Sequence, residues 1–240
     1  FPMVEVALET RNLNMRFGGI CAVDNVDFKL NAGELRCLIG PNGAGKSTFF
    51  KCVTGQLEPT GGQVFMRDEE VTGWSPHEIA SLGVGIKTQV PSVLDGLTAF
   101  ENIWLAARRF LSVTDANRMT DEVISRLSLG DIINSDVGQL AHGERQRVEL
   151  GIVMAADPWL ILLDEPAAGM SAKDVDSLTN IIHEMLKSAA VIIVEHDMQF
   201  IRSIASTVSV FHQGAMLIED HVDRVMADQT VRNVYLGQKA

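Results

Sequence analysis

The chain has 240 residues, 46% of them hydrophobic, with 31 acidic against 20 basic side chains for a net charge of −11. That is enough for a large core in one α/β domain, alone or with a subdomain. The acidic balance argues against a nucleic-acid partner and against direct adhesion to anionic lipid, but not against docking on a membrane protein.

In chain order, 4–8 reads as a strand, and Val26, Phe28 and Leu30 alternate with polar residues as a half-buried antiparallel strand does. Asn31-Ala32-Gly33 is a turn into a buried strand of Leu35, Cys37, Leu38 and Ile39. A glycine-rich run follows and then a helix over 47–53. A strand is expected at 63–67, a short capping-box helix from Ser75-Pro76-His77-Glu78, and a strand at 84–87 leading to Gln89. Thr98 and Glu101 form a second capping box that opens a helix to about 109, and a polar helix covers about 115–127. Residues 138–143 read as a loop, 144–156 as a helix, 160–164 as an apolar strand, 173–187 as a helix and 191–195 as another apolar strand. Apolar strands alternating with helices predict a parallel sheet covered on both faces, and the early antiparallel strands an added small sheet. The fold class is α/β, a single domain over 1–240, with about 90–157 expected as an inserted helical subdomain. The apolar runs 159–163 and 189–194 are too short to cross a bilayer, no secretory pattern is visible, and Cys21, Cys37 and Cys52 have no metal spacing and suit a reducing compartment.

Residues 40–48, Gly40-Pro41-Asn42-Gly43-Ala44-Gly45-Lys46-Ser47-Thr48, fit the phosphate-cradling pattern G-x-x-x-x-G-K-[ST] between a strand and a helix. Gly43 and Gly45 are expected to let backbone N–H groups approach an anion, helped by the helix N-terminus. Lys46 is expected on the β- and γ-phosphates, and Ser47 on Mg²⁺. The strand 160–164 ends in Asp164 and Glu165. Asp164 is the expected second Mg²⁺ ligand, and Glu165 the group that orients water for in-line attack. His196 ends another strand and is placed on the γ-phosphate or the water; Gln89 is placed on Mg²⁺ or the water; Phe17 is placed on adenine.

Leu140-Ala141-His142-Gly143-Glu144-Arg145-Gln146 resembles the signature motif of the ATP-binding cassette (ABC) ATPases, usually Leu-Ser-Gly-Gly-Gln. The order of motifs along the whole chain is similar to that family: Phe17, 40–48, Gln89, 140–146, 160–165, 168–171, His196. The resemblance implies an ATPase using ATP and Mg²⁺, in which residues 140–144 of one cassette complete the nucleotide site of a second. Ala141-His142 replaces the usual Ser-Gly and Glu144 the usual Gln. Ala141 lacks the hydroxyl that would meet the partner's γ-phosphate, and the imidazole of His142 is the candidate substitute.

Within the family, Met15-Arg16-Phe17-Gly18-Gly19, Asp164-Glu165-Pro166-Ala167-Ala168-Gly169-Met170 and Val234-Tyr235-Leu236-Gly237 resemble cassettes for branched-chain amino-acid or urea and amide uptake. An importer implies separate permease subunits, a solute-binding protein upstream and a place on the inner face of the plasma membrane. The permease is expected to dock along 90–104, touching Val93 or Leu97. The alternatives are a lipid-export cassette and a non-transport cassette.

Overall fold

The computed structural model describes residues 5–236. Val4 and Gly237, each named above in a motif or strand, lie outside them.

The first strands, β1 (Val6–Phe17) and β2 (Ile20–Asn31), are joined by the tight Gly18-Gly19 turn and pair antiparallel. With β4 (Gly61–Met66) and the two-residue β5 (Glu69–Glu70) they form a sheet of order β2-β1-β4-β5. The second sheet is built on β3 (Leu35–Ile39), β6 (Val84–Lys87), β7 (Leu160–Asp164), β8 (Ala190–Val194), β9 (Thr207–His212) and β10 (Ala215–His221). Its order is β10-β9-β3-β8-β7-β6, parallel throughout except for β10 against β9. Every residue of β3, β7 and β8 is buried, which is why these strands read as apolar runs rather than as alternation, broken in β3 by Arg36, which pairs with Glu34 and Glu219, and ended in β7 by Asp164.

Helix α1 (Lys46–Val53) follows β3 and is fixed by aromatic packing. The Phe49 ring sits 5.4 Å from Phe28 of β2 and 5.3 Å from Phe211 of β9, so both sheets hold the helix. Helix α2 (Pro76–Ser81) opens on the expected capping box at Ser75. Between the adjacent strands β6 and β7 the chain runs through α3 (Ala99–Arg108), α4 (Val113–Arg126) and α5 (His142–Ala155). Helices α6 (Ala172–Leu186) and α7 (Met198–Ile204) flank β8, and α8 (Val222–Ala227) and α9 (Gln229–Leu236) close the described chain.

Two expectations need correction. Residues 138–143 are not a continuous loop: a 3₁₀ turn covers Val137–Gln139, and α5 begins at His142. The start is set by Glu144, whose carboxylate accepts the Ala141 N–H at 3.0 Å, while the methyl side chain of Ala141 returns no cap. The helix therefore begins at the departure from the usual signature. In addition, β1 is far longer than the apolar stretch at its start, and the β9–β10 hairpin was not anticipated. Its turn is Gln213-Gly214, both at positive φ (50° and 84°), a recognisable hairpin dipeptide.

One buried ion pair ties α5 to the sheet: Lys87 Nζ of β6 lies 3.4 Å from Glu149 Oε2, with both side chains almost fully enclosed. Removing one member strands the other charge in the interior, which typically costs about 3–5 kcal/mol. Glu149→Ala should therefore lower the stability measured by urea unfolding by about 3 kcal/mol, and Lys87→Met/Glu149→Leu should recover most of that loss.

Candidate functional site

The C-terminal ends of β3, β7 and β8 lie side by side in the sheet, the position at which open α/β sheets bind ligands. At the end of β3 the loop 40–45 takes unusual backbone angles for reasons that differ from residue to residue. A Cβ on Gly40 (φ +148°) would fall 2.3 Å from the Phe211 carbonyl oxygen, and one on Gly45 (φ +105°) 2.5 Å from the Ala22 carbonyl oxygen. These glycines are required by neighbouring strands: whatever Gly45 offers a ligand, its lack of a Cβ is already demanded by packing on β2. At Gly43 (φ +78°) a Cβ would meet nothing, and that part of the loop faces open space.

Lys46 is buried at the first turn of α1, and its Nζ donates to the carbonyls of Gly40 at 2.6 Å and Pro41 at 3.0 Å. Burial pulls its pKa below the usual lysine range, opposed by the charges of Glu165 and Asp164. The amine thus holds its own loop closed while facing the two carboxylates at the end of β7. Ser47 is exposed beside it, at a helix start that no side chain caps.

Asp164 is 4% exposed, and its Oδ1 is buried without a hydrogen-bond partner. Burial, reinforced by the neighbouring Glu165 charge, pushes its pKa up to about 6. Glu165 adopts φ +46°, rare for a side-chain-bearing residue, and its N–H donates to the Val194 carbonyl at 2.9 Å. That bond turns the chain out of the strand and leaves the carboxylate at the rim. His196 follows β8; its Nδ1 is 3.7 Å from Glu165 Oε1 and 3.7 Å from Glu195 Oε2.

Glu195 was not singled out in the sequence. It is 1% exposed, and its carboxylate accepts N–H bonds from Ala167 at 3.1 Å, His196 at 2.8 Å and Asp197 at 3.3 Å. It therefore ties the loop after β7 to the loop after β8. Its only sequence signal was a carboxylate at the end of an apolar strand.

The remaining candidates lie around this centre. Gln89 is exposed just beyond β6, next to β7 in the sheet, and Phe17 ends β1 at 46% exposure. Leu140, Ala141, His142, Gly143 and Glu144 stand apart at the start of α5. Among the described residues no hydrogen bond or ion pair joins 140–144 to 40–48. His142 is exposed, with its Nε2 2.9 Å from the Ala168 carbonyl oxygen.

Comparison with known proteins shows the family. The family model described as ABC transporter matches residues 23–168. The chain is 34% identical to the high-affinity branched-chain amino acid transport ATP-binding protein BraF of Pseudomonas aeruginosa, over 96% of this chain and 98% of that protein. It is 32% identical to LivG of Escherichia coli, which carries the same description, over 98% and 100%. The lipopolysaccharide export system ATP-binding protein LptB of Haemophilus influenzae is 31% identical over 97% and 98%. Among solved structures, the ADP conformation of MJ1267, an ATP-binding cassette of an ABC transporter, superposes with a TM-score of 0.87 at 26% identity, covering 97% of this chain and 99% of that one. The chain belongs to the ABC transporter family, as one of its ATP-binding cassettes.

Proposed function

We propose that this chain is the ATP-hydrolysing subunit of an importer for a small polar solute, with branched-chain amino acids the first candidates because BraF and LivG carry them in their descriptions. The observation that carries the reading is the meeting of Lys46, Asp164, Glu165 and His196 at adjoining strand ends. Relatives described as uptake proteins at 32–34% identity favour import over the export described for LptB.

ATP would lie over the loop 40–48, with adenine stacked on Phe17 and the β- and γ-phosphates taking Lys46 away from the Gly40 and Pro41 carbonyls. Asp164, Ser47 and Gln89 are the residues that would hold Mg²⁺, and the unpartnered Oδ1 of Asp164 suits a cation better than another hydrogen bond. Among the described residues no group of three His, Cys, Asp or Glu side chains stands ready for a metal; nucleotide-bound Mg²⁺ needs only one or two carboxylates beside phosphates and water. Magnesium, when bound, supplies neutralisation of the charge on the phosphate oxygens. Glu165 accepts a hydrogen bond from the attacking water and aligns it, and His196, beside that carboxylate, steadies the water or the γ-phosphate. Residues 140–144 of a second cassette cover the site, with the N–H groups at the start of α5 facing the phosphate. Residues 90–157 serve as the helical subdomain that carries this segment.

No helix among the described residues is long and apolar enough to cross a membrane. Separate permease subunits would therefore hold the chain at the inner face of the plasma membrane, with a solute-binding protein delivering the solute to them. A cavity of about 350 Å³ between the sheet and the helices, lined by Ile86, Thr88, Ala106, Phe110 and Ile152, would receive a permease segment. Val93 is partly buried against the core, and within 90–104 the most exposed large apolar side chains are Val90 and Leu94, at 75% and 54%.

Glu165→Gln should lower steady-state ATP turnover by at least about 100-fold while nucleotide binding, followed with a fluorescent ATP analogue, persists. Val90→Asp and Leu94→Asp should cut solute uptake in reconstituted vesicles at least about tenfold with ATP binding unchanged. Asp164 has a folded pKa above its unfolded value. Its ionisation therefore opposes folding as pH rises through about 6, and the penalty is absent below about pH 4. In nucleotide-free protein, Asp164→Asn should gain about 2–3 kcal/mol at pH 8 by urea unfolding, and the gain should vanish near pH 4.

A further inference from the structure

The segment at the start of α5 touches the loop between β7 and α6 at one point and the first turn of α6 at another. The His142 ring rests against Gly169, where an added Cβ would meet Nε2 at 3.2 Å, and that nitrogen is 2.9 Å from the Ala168 carbonyl oxygen. Next to it, Gly143 lies so close to Asp174 that a Cβ would fall 2.5–2.8 Å from the carboxylate atoms. Asp174 is itself held at the first turn of α6, its N–H donating to Ser171 Oγ at 3.3 Å and its Oδ2 accepting the Ser171 hydroxyl at 2.6 Å.

A carbonyl oxygen can only accept, so the imidazole carries its proton on Nε2 and donates it to Ala168. The Nε2 proton is therefore committed within the chain and is not the one that would stand in for the missing serine hydroxyl.

We propose instead that His142 is a positioning residue that fastens residues 140–144 to the loop 167–171 of the same chain, so that both segments meet the second cassette as one unit. The inference rests on the two-cassette reading given above for what the unit does, but the fastening itself can be tested without nucleotide. Glu195 extends the unit inward: its carboxylate takes the Ala167 N–H on one side and the His196 N–H on the other. A continuous set of hydrogen bonds thus runs from the start of α5 through 167–168 to His196. In the usual Ser-Gly pair the position of His142 is a glycine, which has no side chain to make the first link. In this chain the serine contact across the interface is absent, and a contact within the chain stands beside the gap.

Two substitutions separate the hydrogen bond from the bulk of the ring. His142→Phe fills the same space without a donor, and His142→Gln places an amide N–H near the position of Nε2. In the nucleotide-free full-length chain, His142→Phe should raise amide hydrogen exchange across 167–171 roughly fivefold, the scale of one exposed hydrogen bond, with exchange in β3 and β7 unchanged. Under turnover it should lower kcat by a similar factor while KM for ATP stays within about twofold, and His142→Gln should restore both readouts. Exchange in His142→Phe equal to wild type would overturn the fastening. Loosened exchange with an unchanged kcat would overturn its role in the paired unit. Absence of ATP turnover in the wild-type chain would instead count against the functional reading and leave the exchange result standing on its own.

Discussion

A buried lysine amine facing two carboxylates organises this molecule. Lys46 is removed from water, donates to two carbonyls of its own loop, and feels Asp164 and Glu165 at the end of β7, one strand removed from β3. Burial weakens its charge and also strengthens its attraction to those carboxylates, since screening is poor in the interior. Asp164 is in the converse position, its ionisation resisted by burial and by Glu165. Asp164 Oδ1 is left without a hydrogen-bond partner, and perturbed groups of this kind cluster at functional sites.

The scaffold supplies the rigidity this arrangement needs. Phe49 locks α1 to both sheets, the Phe211 and Ala22 carbonyls close in on Gly40 and Gly45, and Glu195 spans two loops with its three accepted N–H bonds. Each constraint is short and local, yet together they connect β2, β3, β7, β8 and β9. A shift at the phosphate loop would be felt at the loop after β7, and through His142 at the start of α5. The Lys87–Glu149 pair provides a second tie between the sheet and that same helix.

Much of this was legible in the residues. The strands β3, β7 and β8 are buried on both faces, and their apolar runs said so. The capping boxes at Ser75 and Thr98 form as the spacing of hydroxyl and glutamate indicated, because that pattern depends only on residues three apart. What could not be read depends on distant neighbours. The reason for glycine at 40 and 45 is the carbonyl of a strand far along the chain. Glu195 is a buried organiser because its three partners fold around it, which no local pattern announces. The long polar half of β1 is held by pairing with β2 and β4 on either side rather than by its own alternation. The orientation of His142 was equally illegible, because it is set by Ala168, 26 residues away.

In the proposed pairing, one chain holds only half of each working site and ATP joins two. Multi-angle light scattering on Glu165→Gln protein with saturating Mg²⁺-ATP tests it most directly. The proposed composite site predicts the mass of two chains, reverting to one when ATP is exchanged for ADP. A single-chain mass at saturating ATP, together with no ATP-dependent closure in the assembled transport complex, would contradict it.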